Sequence, residues 1–167
     1  MLKYVVIARH GRCDNSITNR QLTEKGEAQM KRLAEALNPF LLGLSPLRVY
    51  TSIALWTRQS AEMLGIRYGV NPIEFPALFM ADPNNDLRNV AELITSPVQV
   101  GVPAVILMTH ERGTSHLAGH CSEIFLKKRQ RFSALWPGEA YVFDCQRQKT
   151  FKIYSPEVGD NLETVEI

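Results

Sequence analysis

Arg9, His10 and Gly11 end one apolar run, in "VVIARHGRC", and His110 and Glu111 end another, in "VILMTHERG". A guanidinium presents a planar fork of donors that suits the non-bridging oxygens of a phosphoryl group. A neutral imidazole can attack phosphorus and carry it covalently. A second imidazole can offset charge on the equatorial oxygens during transfer. Gly11 lets the backbone come close, so its amide is a further candidate phosphate donor. Each signal is weak alone: a strand-end histidine is more often a satisfied or exposed residue than a catalyst. What singles these residues out is that the same pattern occurs at two strand ends.

The elements that must position them follow from periodicity. Residues 2–9 read as a strand buried on both faces, and 102–110 repeat the pattern. Thr23 is a candidate N-cap, with Glu24 and Glu27 in the first turn. Met30, Leu33, Ala34 and Leu37 then space out an amphipathic helix over 24–38, stopped by Pro39. A second strand is expected over 46–52. It leads into a helix capped by Ser52 and ended by Gly65, and residues 66–85 read as an irregular surface segment. Helices are expected over 86–96 and 113–127, and a hairpin from "EAYVFDC" and "TFKIYS". Alternating strands and helices imply an α/β fold with a mostly parallel central sheet. In such sheets ligands bind beyond the carboxyl ends of the strands. Arg9-His10, Thr51-Ser52 and His110-Glu111 therefore converge on one pocket if their strands are neighbours.

Composition narrows the setting. The 167 residues suit one domain over 1–167, with 45% hydrophobic and 22% charged side chains. A net charge of +2 gives no electrostatic case for nucleic acid as partner. No apolar run approaches the roughly 20 residues of a membrane span, and the N-terminus does not read as a signal peptide. Cys13, Cys121 and Cys145 are odd in number and lack C-x-x-C spacing, which suggests free thiols and a cytoplasmic protein. Oligomeric state has no sequence signal.

"ARHGRCDN" resembles the R-H-G signature of the histidine phosphatase superfamily, which has the phosphoglycerate mutase-like fold. Three more segments resemble that family in order and spacing: "LTEKGEAQ" (22–29), "VYTSIALWTRQSAEML" (49–64) and "VILMTHERG" (105–113). "PGEAYVFD" (137–144) is similar to its late strand. The resemblance implies a three-layer α/β/α sandwich and a phosphatase or phosphotransferase that needs no metal or other cofactor. Its substrate would be a phosphorylated small molecule or phosphoprotein. Carried over by position, His10 is the nucleophile, Arg9 binds phosphoryl oxygens and His110 stabilises the transferring group. The Glu111 amide and Asn15 or Ser16, in the loop after the signature, are further candidate contacts. One position departs from the family: its second phosphate-binding arginine falls four residues after the serine, where this chain has Trp56. Arg58 lies two residues on, a turn of about 200° around a helix. Either Arg58 or Arg12 supplies that charge, or the pocket lacks it and the chain is a weakly catalytic phospho-ligand or protein-binding module. Many relatives also use a glutamate as general acid; here Asp82 is the first candidate and Glu74 the second. The stretch "ALFMADP" is closer in style to short bacterial phosphohistidine phosphatases, which lack that acid.

Other readings are weaker. His116 and His120 have the i, i+4 spacing of a zinc pair but no H-E-x-x-H glutamate, so no metal site is expected. Cys13 lacks the loop of a cysteine phosphatase and reads as a bystander thiol. "LKKRQRF" reads as a solvated basic helix end.

Overall fold

The apolar runs become neighbouring strands of one sheet. The computed structural model describes residues 1–96, 99–156 and 161–167. Among the described residues the strands are β1 (Tyr4–Arg9), β2 (Leu47–Thr51), β3 (Ile73–Glu74), β4 (Ala104–Thr109), β5 (Ala140–Asp144), β6 (Lys149–Tyr154) and β7 (Glu163–Glu166). Their order across the sheet is β3-β2-β4-β1-β5-β6-β7. β3, β2, β4 and β1 pair in parallel, whereas β5, β6 and β7 each run antiparallel to the strand before them. Only β5 and β7 therefore oppose the common direction.

The register between β1 and β4 pairs Tyr4 with Ala104 and Arg9 with Thr109, so both strands end at the same height. Alternate residues of β1 serve opposite layers, as a strand's period of two requires. Val6 and Ala8 join a cluster with Met30, Leu33 and Leu64, while Val5 and Ile7 join one with Val90, Ile94 and Leu117. The first layer is built by α1 (Glu24–Ala36) and α3 (Leu55–Tyr68), the second by α4 (Pro83–Thr95) and α5 (Glu111–Cys121). Because both faces are covered there, the central strands β1, β4 and β5 lack the polar alternation of a half-exposed sheet.

Several boundaries differ from the sequence reading for local reasons. The Thr23 hydroxyl caps α1 by accepting from the Gly26 amide at 3.1 Å, as its type suggested. Pro39 does not simply stop the helix. It sits in the first turn of a short helix, α2 (Asn38–Leu41), where its missing N–H costs nothing. Gly65 lies inside α3, not at its end. Val70 and Pro72 fold back against it where a Cβ would stand, and Gly69, at φ +68°, terminates the helix. Residues 66–85 are only partly irregular: they include the end of α3, β3, a 3₁₀ turn over Pro76–Phe79 and the start of α4. α5 ends at Cys121 and passes into one wider π turn over Ser122–Leu126. β7, "ETVE", has no apolar alternation and is exposed throughout, so only its pairing with β6 makes it a strand.

Candidate active site

His10 follows β1 directly and is 7% exposed. Its backbone is stapled from both sides: its amide donates to Thr109 at 3.3 Å, and its carbonyl accepts from Gly138 at 3.1 Å. The ring Nδ1 lies 2.7 Å from the Gly11 carbonyl. A carbonyl only accepts, so Nδ1 carries the proton and Nε2 keeps its lone pair. Burial pulls the His10 pKa down to about 4. The adjacent Arg9 and Arg20 push in the same direction, against the Gly11 hydrogen bond and Glu111. His10 is therefore a neutral, oriented nitrogen base at neutral pH.

β4 lies between β1 and β2, which brings His110 beside His10 with ring centroids 5.5 Å apart. The Nε2 of His110 is 2.7 Å from the Ser52 hydroxyl, at the end of β2. The proton order along this chain can be worked out. Thr57 Oγ1 has carbonyl acceptors at Ala54 (2.7 Å) and Ser52 (3.2 Å), so its proton is used there. The Ser52 hydroxyl then donates to Thr57 at 2.9 Å, and Ser52 Oγ accepts from His110 Nε2–H. Neutral His110 thus holds its proton at Nε2. Burial, with His10 and Arg9 nearby, lowers its pKa to about 4. Ser52 was read as a helix cap. Its Oγ does accept from the Ala54 amide at 3.3 Å, but Ala54 is the capping residue of α3 and Ser52 also holds a histidine.

Arg9 lies against the pocket with Nη1 donating to the Leu135 carbonyl at 2.7 Å and Nη2 paired with the Glu111 carboxylate at 2.9 Å. Its Nε is buried and has no partner among the described residues. A second guanidinium comes from a position the sequence reading passed over. Arg20 stacks over the indole of Trp56 at 5.2 Å and is close enough to His10 to lower its pKa. Cys13 bridges Leu22, and the Leu22 amide donates to Gln59 on α3 at 2.9 Å, which closes the 14–21 loop and returns Arg20 to the site. The one usable sequence signal was its place two residues before Leu22, the point where the chain enters α1. Trp56 is half-buried and walls the site edge-on to both histidines, with centroids at 6.2 and 5.8 Å, instead of filling the core. Phe79 forms another wall, 5.0 Å from His110. The Thr109 hydroxyl fixes its turn by donating to the Leu78 carbonyl at 2.7 Å.

No protein-family model matches the sequence, and no curated protein does. Solved structures do match along nearly the whole chain. A protein histidine phosphatase SixA bound to tungstate superposes with a TM-score of 0.64 at 17% identity, covering 98% of this chain and 96% of that one. "Mycobacterial hydrolase 1" gives 0.66 at 13% identity, covering 99% and 97%. A mycobacterial glucosyl-3-phosphoglycerate phosphatase gives 0.62 at 16%, covering 99% and 97%. The chain has the histidine phosphatase fold.

Within the histidine phosphatase fold the other candidate residues are dispersed. The Gly11 amide is engaged, donating to Ser60 Oγ at 3.1 Å. The glycine is needed because a Cβ there would run into the Gly26 carbonyl, where the signature loop crosses α1. Glu111 offers its carboxylate to Arg9 and, as the first residue of α5, sits at a helix N-terminus that favours anions. The Asp14 carboxylate organises the 14–21 loop by accepting from the Ser16 and Gln21 amides at 2.9 and 3.3 Å. Ser16 Oγ accepts from the Asn19 amide at 3.2 Å, and Asn15 stands exposed. Arg58 reaches away to Glu74 at 3.0 Å, which engages the second candidate acid as well. Arg12 is exposed beside α1. Asp82 is exposed at the N-cap of α4, with its amide held by Asp86 at 3.0 Å. His116 Nδ1 is engaged by the Arg112 carbonyl at 2.7 Å, and no group of three metal-binding side chains occurs among the described residues.

Proposed function

We propose that this chain is a metal-independent phosphatase that works through a phosphohistidine on His10. The observation that carries this reading is the 2.7 Å contact from His10 Nδ1 to the Gly11 carbonyl, which leaves a neutral Nε2 beside His110. Nε2 attacks phosphorus, an N–P bond forms, and the bond to the leaving group breaks with its electron pair on that group. Water then attacks phosphorus, the N–P bond breaks back to the imidazole, and inorganic phosphate leaves. Arg9 and Arg20 balance the phosphoryl charge, and a dianion draws His110 towards its protonated form, with the second proton at Nδ1. The Nε2–H remains on Ser52.

The preferred substrate class is a phosphohistidine protein, with small phosphate esters second. Glu74 is paired with Arg58 and Asp82 is exposed at the N-cap of α4, and an imidazole leaving group needs less protonation than an alkoxide does. The SixA likeness agrees with this order. The same intermediate would serve a phosphotransferase or mutase if an acceptor other than water took the phosphoryl group. The test is turnover without added metal on a phosphohistidine protein and on small esters, beside His10→Ala. Acid-labile label retained by the intact protein and absent from the variant is expected. No turnover of any substrate would leave a phospho-ligand binding module, and activity surviving in His10→Ala would overturn the nucleophile assignment.

A further inference from the structure

Phe79 is the exposed member of an otherwise buried run. Ala77, Leu78 and Met80 are buried, whereas Phe79 is 43% exposed. The turn is held in that attitude by its surroundings. The Thr109 hydroxyl donates to the Leu78 carbonyl at 2.7 Å, and the Met80 amide donates to the Ala77 carbonyl at 3.2 Å. Met80 takes the left-handed conformation, at φ +57°, which a methionine rarely adopts. Gly113 on α5 leaves it room, since a Cβ there would stand 3.1 Å from Met80 Cγ. Leu78 and Met80 thereby join the core, and Phe79 is turned out of it with its ring 5.0 Å from that of His110. Backbone strain of this kind clusters at binding sites.

Trp56 meets His110 from another element, the first turn of α3, with centroids 5.8 Å apart. Arg20 lies over the face of that indole, so a single side chain carries a cation and presents an aromatic edge to the histidines. Both aromatic walls follow β2 and β3 in the chain. In the sheet these strands lie on one side of β4, and β1, which carries His10, lies on the other. In-line displacement puts the leaving group on the side of phosphorus away from the attacking nitrogen. On the β2–β3 side the surface it meets is aromatic.

We infer that Phe79, with Trp56 beside it, selects the group attached to phosphorus: a planar ring, bonded through its own oxygen or nitrogen, over an aliphatic group of the same size. The ring lies against Phe79 and the edge of Trp56. This rests on the His10 pocket holding a phosphoryl group, as proposed above, and not on its turnover. Phenylphosphonate and cyclohexylphosphonate are similar in size and have no leaving group, so their affinities isolate the effect of the ring. Calorimetric titration above the second ionisation of both, with orthovanadate as competitor, should show phenylphosphonate binding about tenfold tighter. Phe79→Leu, at an exposed position, should remove most of that preference, and Phe79→Tyr should keep it. Phenyl phosphate and phosphoimidazole, titrated into the His10→Ala protein, tell a ring bonded through oxygen from one bonded through nitrogen; saturable binding of at least one is expected, and binding of neither would overturn the inference. Equal affinity for the two phosphonates, or a preference that survives in Phe79→Leu, would overturn it while leaving the phosphatase reading intact. A ring preference in a protein that turns over no phosphate would do the reverse. Failure of both phosphonates to compete with orthovanadate would remove the two together.

Discussion

Acid should destabilise this protein through two residues at one site. His10 and His110 both have folded pKa values of about 4, lowered first by burial, against an ordinary value of 6.5. The unfolded chain therefore binds more protons than the folded one between those limits. The stability from keeping both rings neutral is fully present above about pH 6.5 and is lost as pH falls towards 4. Between pH 7 and 5.5 each imidazole accounts for about 1.2 kcal/mol, and the pair for about 2.5 kcal/mol. With a urea slope of roughly 2 kcal/mol/M for a chain of this size, the unfolding midpoint should drop by about 1 M. Urea titrations at pH 7 and 5.5, on the intact protein and on a His10→Gln, His110→Gln variant, isolate the contribution from other titrating groups. The variant should lose most of the pH dependence. An equal drop in both proteins would refute burial of the two neutral rings as the cause.

Three further outcomes follow from the same geometry. Arg20→Gln should weaken orthovanadate binding by roughly 10- to 100-fold, the worth of a charge-assisted contact, and Trp56→Ala only by a few-fold through the lost stacking; a larger effect from Arg58→Gln than from Arg20→Gln would show that Arg20 is not the second phosphate cation. Ser52→Ala removes the acceptor that sets the His110 tautomer, so kcat should fall about tenfold with a shifted acid limb in its pH profile, and an unchanged profile would leave Ser52 only its bonds to Thr57 and the Ala54 amide. Gly26→Ala, favourable by helix propensity, instead drives a Cβ into the Arg12 carbonyl; a loss of about 2 kcal/mol and a melting temperature lower by about 4–8 °C are expected, and a neutral melt would count against the close crossing.

The candidate site residues at strand ends were legible because a strand buried on both faces leaves an unbroken apolar run, and a charge or imidazole directly after it marks its end. Arg9-His10 and His110-Glu111 both stood out in that way, as did Thr23, whose capping depends on neighbours three residues away. Where α3 ends was not legible. Gly65 has the composition of a stop, but the reason for that glycine is contact with Val70 and Pro72. β7 was missed because a polar strand at a sheet edge is defined by its partner β6 and not by its own pattern.

By itself the sequence determined which side chains are available: two strand-end imidazoles, a cation before one of them, and tryptophan where the resembling family has arginine. Tertiary structure decided what each one faces. Placing β4 between β1 and β2 brings His10, His110 and Ser52 together across residues far apart in the chain. The same packing turns Arg58 outward to Glu74 and returns Arg20 over Trp56. Periodicity carries the direction of a side chain relative to its own helix or strand. The direction relative to another element depends on which faces the two layers bury, and that is set only when the sheet assembles.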